Sequence, residues 1–238
     1  MRRDRPASPL LALGALLIAG AIACRPSAAP IPPEQSYFPL QLGERWVYDA
    51  TFYGPTQRSA TSIVAVCRVR DAEVGRMFLV STCADDDLVE AQIVFQRGDE
   101  IAEPLLLDSQ GQARPRDPPE VIARTRMEVG QVWRWEGKVG DDERGSVYAV
   151  ANRGRVLTPL GELEAVRLLV RDVSEGPTNA SVERWFAPGV GLVREAGALI
   201  FPTESGQMAQ IELVRTLREH GVVAVESIPC CGKAPAQP

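Results

Sequence analysis

An all-β fold of antiparallel strands is predicted by three features of the chain. From Tyr37 onward apolar and polar residues alternate with a period of two, as in RMFLVSTC (76–83), which places them on opposite faces of a strand. Gly and Pro, 20 and 19 among 238 residues, are scattered between those runs as turn punctuation and not gathered in one block. No window carries the spacing of a long amphipathic helix.

The first element precedes the fold. MRRDRPAS sets Arg2, Arg3 and Arg5 against the single acid Asp4, and an apolar run follows from Pro9 to Ala23. The run is shorter than the ~20 residues that cross a bilayer as a helix. A basic head, a short apolar middle and small residues before a break predict an export signal over residues 1–23. Its end, Ala21-Ile22-Ala23-Cys24, resembles the lipobox of bacterial lipoproteins, with Ala21 where the commonest pattern has Leu. The resemblance implies that Cys24 receives a diacylglyceryl group, is palmitoylated and becomes the mature N-terminus. Cleavage by ordinary signal peptidase near Ala21 or Ala23 is the alternative. Under the enterobacterial sorting rule, Arg25 in place of Asp favours the outer membrane over the inner, with the protein facing the periplasm.

RPSAAPIPPEQ completes a Pro/Ala-rich tether over 24–35, semi-rigid and extended. A single antiparallel β domain is expected over 36–218. Its predicted strands are 62–70, 76–83, 88–97, 146–157, 162–172, 181–187, 191–201 and 207–217, with further strand character at LGERWVYD (42–49) and VGQVWRWE (129–136). In 207–217, Ala209, Ile211, Leu213 and Leu217 share one face, interrupted by Arg215. DSQGQARPRDPP (108–119) reads as a loop that divides the sheet into halves. A C-terminal tail over 219–238 is expected to be partly disordered.

The two segments 42–49 and 129–136 echo each other: an aliphatic residue, Gly, then Trp at the same offset, a second aromatic two residues on, and an acid. Trp46 and Tyr48 therefore share one face of their strand, as do Trp133 and Trp135 of theirs. Duplication and coincidence both fit eight residues.

Removing 1–23 takes away three Arg and one Asp, so the mature chain is more acidic than the −5 of the whole. That balance argues against nucleic acid as a partner. Beyond Cys24 the cysteines are Cys67, Cys83, Cys230 and Cys231. An oxidising compartment makes disulfides plausible. Cys67 and Cys83 flank a hairpin, and their pairing is the simplest expectation; adjacent Cys230 and Cys231 are free thiols or send one bond back to the domain. No metal site or cofactor is expected, because the sole histidine is His220 and the cysteine spacings fit no zinc motif.

Catalysis finds little support. A serine triad needs a histidine base, His220 sits at a strand end, and no G-x-S-x-G elbow exists. The acidic clusters Asp85-Asp86-Asp87 and Asp141-Asp142-Glu143 lack calcium-loop spacing and read as solvated turns. The aromatic set Trp46, Tyr48, Trp133, Trp135 and Trp185 either fills the core or lines an apolar groove.

YFPLQLGERWVYD (37–49) and ERWFAPGVGLVRE (183–195), with the turn TPLGELEAVRL (158–168) between them, resemble a group of uncharacterised exported bacterial proteins, the TapB-like proteins and related domains of unknown function. The resemblance spans most of 37–217. It implies a curved antiparallel sheet, an incomplete (half) barrel like that of periplasmic lipoprotein carriers, and it implies no established activity. The expectation is a lipid-anchored cell-envelope protein, non-catalytic, binding a hydrophobic ligand or an envelope partner. The alternative is a purely structural or assembly lipoprotein acting through protein contacts, and the remote one an unrecognised hydrolase.

Overall fold

The computed structural model describes residues 32–54, 57–73, 75–108, 110–174, 181–202, 208–229 and 231–232. The expected export signal, Cys24 and most of the tether lie outside the described residues. Within them the chain forms twelve strands: β1 (Glu44–Tyr53), β2 (Arg58–Ala72), β3 (Gly75–Ala84), β4 (Asp87–Arg97), β5 (Glu100–Asp108), β6 (Ala113–Arg124), β7 (Val132–Val139), β8 (Asp142–Thr158), β9 (Gly161–Asp172), β10 (Ser181–Ala187), β11 (Gly191–Pro202) and β12 (Met208–Val222). Each pairs antiparallel with its sequence neighbours, and β1 pairs with β12, so the sheet closes into a barrel.

The expected half barrel is therefore corrected to a closed one. The seam is long: β1 and β12 pair from Glu44↔Val222 to Tyr53↔Glu212, with one bulge at Val47/Tyr48. Closure satisfies backbone groups that two free edges would leave unpaired.

Two strands occupy the stretch where a loop and an undivided gap were expected. β5 and β6 contain Pro104, Pro115, Pro118 and Pro119, and proline cannot donate to a ladder. The chain accommodates them at irregularities. The β5–β6 register shifts between Glu103 and Leu105, around Pro104. β6 pairs with β7 only at Arg116↔Val139 and Asp117↔Lys138. Past that point the indoles of β7 replace the ladder: Trp135 Nε1 donates to the Pro118 carbonyl and Trp133 Nε1 to the Val121 carbonyl, both at 2.8 Å.

The hairpins are short. Asp85 and Asp86 both have positive φ, 47° and 71°, between the paired Ala84 and Asp87. That is the conformation of a two-residue type I′ turn, and it explains why acids cluster there. The predicted turn at 158–161 forms as well, with Thr158 Oγ1 accepting from Leu160 N–H and donating to the Gly161 carbonyl.

The segments of the sequence echo occupy equivalent places. β1 and β7 stand six strands apart in the ring, on opposite walls. Gly43 (φ 80°) and Gly130 (φ 93°) precede them. Each donates its N–H at 2.9 Å to a carbonyl of the strand that follows, Val66 of β2 and Val150 of β8.

Twelve strands enclose more space than eight, whose interior side chains just fill. One end is plugged. It gathers the turns at 158–161 and 187–191 and the chain's entry into β1. Val66, Phe78, Val94, Ile101, Met127, Phe186 and Leu217 are fully buried there or just inside. Ser36–Leu40 lies across this end, with Leu40 buried, Phe38 against Phe186 at 6.0 Å, and Tyr37 N–H donating to the Thr125 carbonyl.

The outer face of β2 and β3 is covered by the C-terminal tail. Ile228 and Cys231 pack with Ala65, Cys67 and Cys83, and Cys67 is disulfide-bonded to Cys231. The expected Cys67–Cys83 bond is thus replaced by a bond back from the tail. Cys83 is disulfide-bonded too. Hairpin proximity misled here because Cys67 falls in the register shift between Val66 and Arg68, so it has no partner opposite it on β3.

Candidate functional site

Inside the barrel, beyond the plug, lies a cavity of about 300 Å³. Its walls follow from strand alternation. Val64, Val80, Ile122, Phe186 and Leu192 give it an apolar side near the plug, which Phe38, Pro39 and Leu40 roof over. Further along the same strands the inward positions turn polar: Thr82 after Val80, Glu90 and Gln92 on β4, Arg184 before Phe186, and Arg215 before Leu217.

These groups form two ion-pair clusters. Arg116 donates through Nε to Glu103 and through Nη1 to Glu120, whose other oxygen accepts from the Tyr148 hydroxyl at 2.6 Å. Across the lumen, Glu195 holds two guanidiniums: Arg184 Nε donates to its Oε1 at 2.8 Å, and Arg215 Nε meets its Oε2. Arg215 also lies over the Tyr48 ring, 5.0 Å from its centre.

Burial sets the proton affinities. It alone would push Glu195 up, but Arg215 and Arg184 outweigh it and bring the carboxyl down to about 2. Burial pushes Glu103 up against the pull of Arg116. It also pushes Glu90 up against Arg215 and Arg184, and among the described residues its side-chain hydrogen bond is a long one from Thr82 at 3.5 Å. Desolvation raises both Tyr48 and Tyr148, so each keeps its proton as a donor.

The five aromatics do not form one surface. Trp46 and Tyr48 line the cavity, donating to the Val190 and Leu192 carbonyls respectively. Trp133 shares the inward face with Tyr148 but does not line the cavity, being stacked on that ring with centroids 5.1 Å apart and planes 2° from parallel. Trp135 is buried and lines a second cavity of about 230 Å³ that shares Arg116 and Ser146 with the first and extends to Arg114, Arg144 and Asp172. Trp185 lies on the face of β10 opposite Arg184 and Phe186, over Gly154 and beneath Arg167. His220 sits at the plugged end, bonded to Glu44 and stacked on Trp46 at 5.8 Å.

The charged lumen was not foreseen, yet its signal is in the strands. Arg184 interrupts the apolar row Val182-Phe186 and Arg215 the row Leu213-Leu217, while Glu195 follows Val193 and Glu90 stands beside the polar Gln92. The motif segments 37–49 and 183–195 come together at the plug: Gly189 N–H donates to the Ser36 carbonyl at 2.8 Å, and Gly191 abuts Pro39 and Trp46.

No protein-family model matches the chain, and no curated protein matches it. Two solved structures are similar to it. One is a candidate lipoprotein from Parabacteroides distasonis, 12% identical, covering 79% of this chain and 99% of its own, with a TM-score of 0.42. The other is a candidate exported protein with a YmcC-like fold from Bacteroides fragilis, 11% identical over the same shares, with a TM-score of 0.41.

Proposed function

We propose that this protein is exported to the cell envelope, anchored through a lipid on Cys24 with its barrel facing the periplasm, and that the barrel holds a small amphipathic molecule without transforming it. The outer membrane is the favoured location. The cavity carries the reading. About 300 Å³ is left between an apolar wall and a charged one, at the lower end of the ~300–1,000 Å³ of ligand sites. A purely structural barrel of this size gains nothing from lumen glutamates, of which Glu103, Glu120 and Glu195 are buried, since their desolvation opposes folding. The assembly alternative relied on an exposed sheet edge or on loops; the ring leaves as an edge only the β6–β7 seam, which pairs at Arg116↔Val139 and Asp117↔Lys138 among the described residues.

The anchor and the cavity have separate tests. Metabolic labelling with a fatty acid should mark the wild-type chain and not Cys24→Ser. Native mass spectrometry of the exported Cys24→Ser chain should reveal a co-purifying small mass that is lost on denaturation. Label surviving in Cys24→Ser removes the anchor; a clean apo mass from every preparation removes the natural ligand.

A further inference from the structure

The charges around the lumen do not balance. Four glutamates, Glu90, Glu103, Glu120 and Glu195, face three arginines, Arg116, Arg184 and Arg215. Both arginines of one cluster are spent on Glu195, and Arg116 is shared by two carboxylates. Glu90 makes no ion pair among the described residues, and its side chain lines the cavity beside Gln92 and Thr82.

Resting on the reading above, we propose that the molecule held in the lumen carries a cationic amine head on an apolar body, with the amine paired to Glu90. A carboxylate largely removed from water and held by no ion pair is costly, and burial raises the proton affinity of Glu90 against the pull of Arg215 and Arg184. An ammonium completes the balance, whereas a carboxylate head adds a second uncompensated negative charge. Tyr148 and Tyr48 stand on the polar side, while Phe38, Phe186 and Leu192 receive the body. A metal ion is the weaker fit, because no three His, Cys, Asp or Glu side chains among the described residues converge on one position.

The test compares three eight-carbon probes of equal tail and different head, octylammonium, octanol and octanoate, titrated into the exported Cys24→Ser chain. Binding is followed by calorimetry and by intrinsic tryptophan fluorescence, to which the cavity-lining Trp46 contributes. Octylammonium should bind at least tenfold more tightly than octanoate, with octanol between them. Glu90→Gln, of equal shape, should bring octylammonium to the level of octanol and leave octanol unchanged. Octanoate binding as tightly as octylammonium, or a preference that survives Glu90→Gln, overturns the amine assignment and leaves the lumen a ligand site. Saturable binding by none of the three overturns the lumen reading, and the amine assignment falls with it.

Discussion

Trp133 lies flat on Tyr148, the two rings 5.1 Å apart and 2° from parallel, across a directly opposed β7–β8 pair. The same indole donates to the Val121 carbonyl of β6, and the Tyr148 hydroxyl donates to Glu120. One stack thus joins the weakest interstrand seam to the charged lumen. Trp133→Ala should cost about 3–5 kcal/mol and speed amide exchange across Val121–Ala123 well before the β9–β10 pair is affected. Uniform acceleration around the ring would show that the indole does not hold the seam.

Glu195 predicts an acid dependence. Burial would raise its carboxyl, but Arg215 and Arg184 hold it at about 2, below the ~4.3 of an unfolded chain. The stability it adds is therefore complete above the unfolded value and is lost as pH falls through the folded one. At pH 7, Glu195→Gln should be about 3 kcal/mol less stable than wild type by urea unfolding. The gap should narrow between pH 5 and 2. A gap independent of pH would mean that the carboxylate is not held ionised by its two arginines.

Gly43 and Gly130 share a left-handed backbone and a hydrogen-bond pattern, yet they differ in surroundings. A Cβ on Gly43 would stand 2.2 Å from the Val223 carbonyl oxygen, while one on Gly130 meets nothing within 4 Å. Gly130→Ala should cost about 1–2 kcal/mol from φ alone. Gly43→Ala should cost clearly more, because the tail backbone must move. Equal losses in thermal unfolding would deny that the tail is fixed at Val223.

The Cys67–Cys231 bond should be worth about 2–5 kcal/mol. Cys231→Ser should lower the denaturation midpoint by a corresponding amount, and non-reducing peptide mapping of wild type should recover the Cys67 and Cys231 peptides together. Recovery of Cys67 with Cys83 would restore the hairpin pairing.

Alternation made the all-β class legible, along with ten of the strands, because side chains on a half-buried sheet must obey a period of two. It could not reveal closure, since whether β1 finds β12 depends on curvature summed over the ring. β5 and β6 escaped because their prolines mimic a loop; the bulge at Pro104 and the indole bonds to Pro118 and Val121 exist only in three dimensions. The paired aromatics of 42–49 and 129–136 were visible as a pattern, and their separation on opposite walls was not. Cys231 found Cys67 through the path of the tail over β2 and β3, which no local spacing encodes.

The bond between Cys67 and Cys231 also closes the chain into a covalent ring across a sequence separation of 164, from the middle of β2 into the tail. A protease that nicks any one hairpin between β3 and β12 opens that ring but frees no fragment. Separating the barrel by a single cut from the lipid proposed on Cys24 would require scission N-terminal to Cys67, before or within the plug, β1 or the first hairpin. In a compartment rich in proteases, the lumen is thus built inside the part of the molecule that one cut cannot separate.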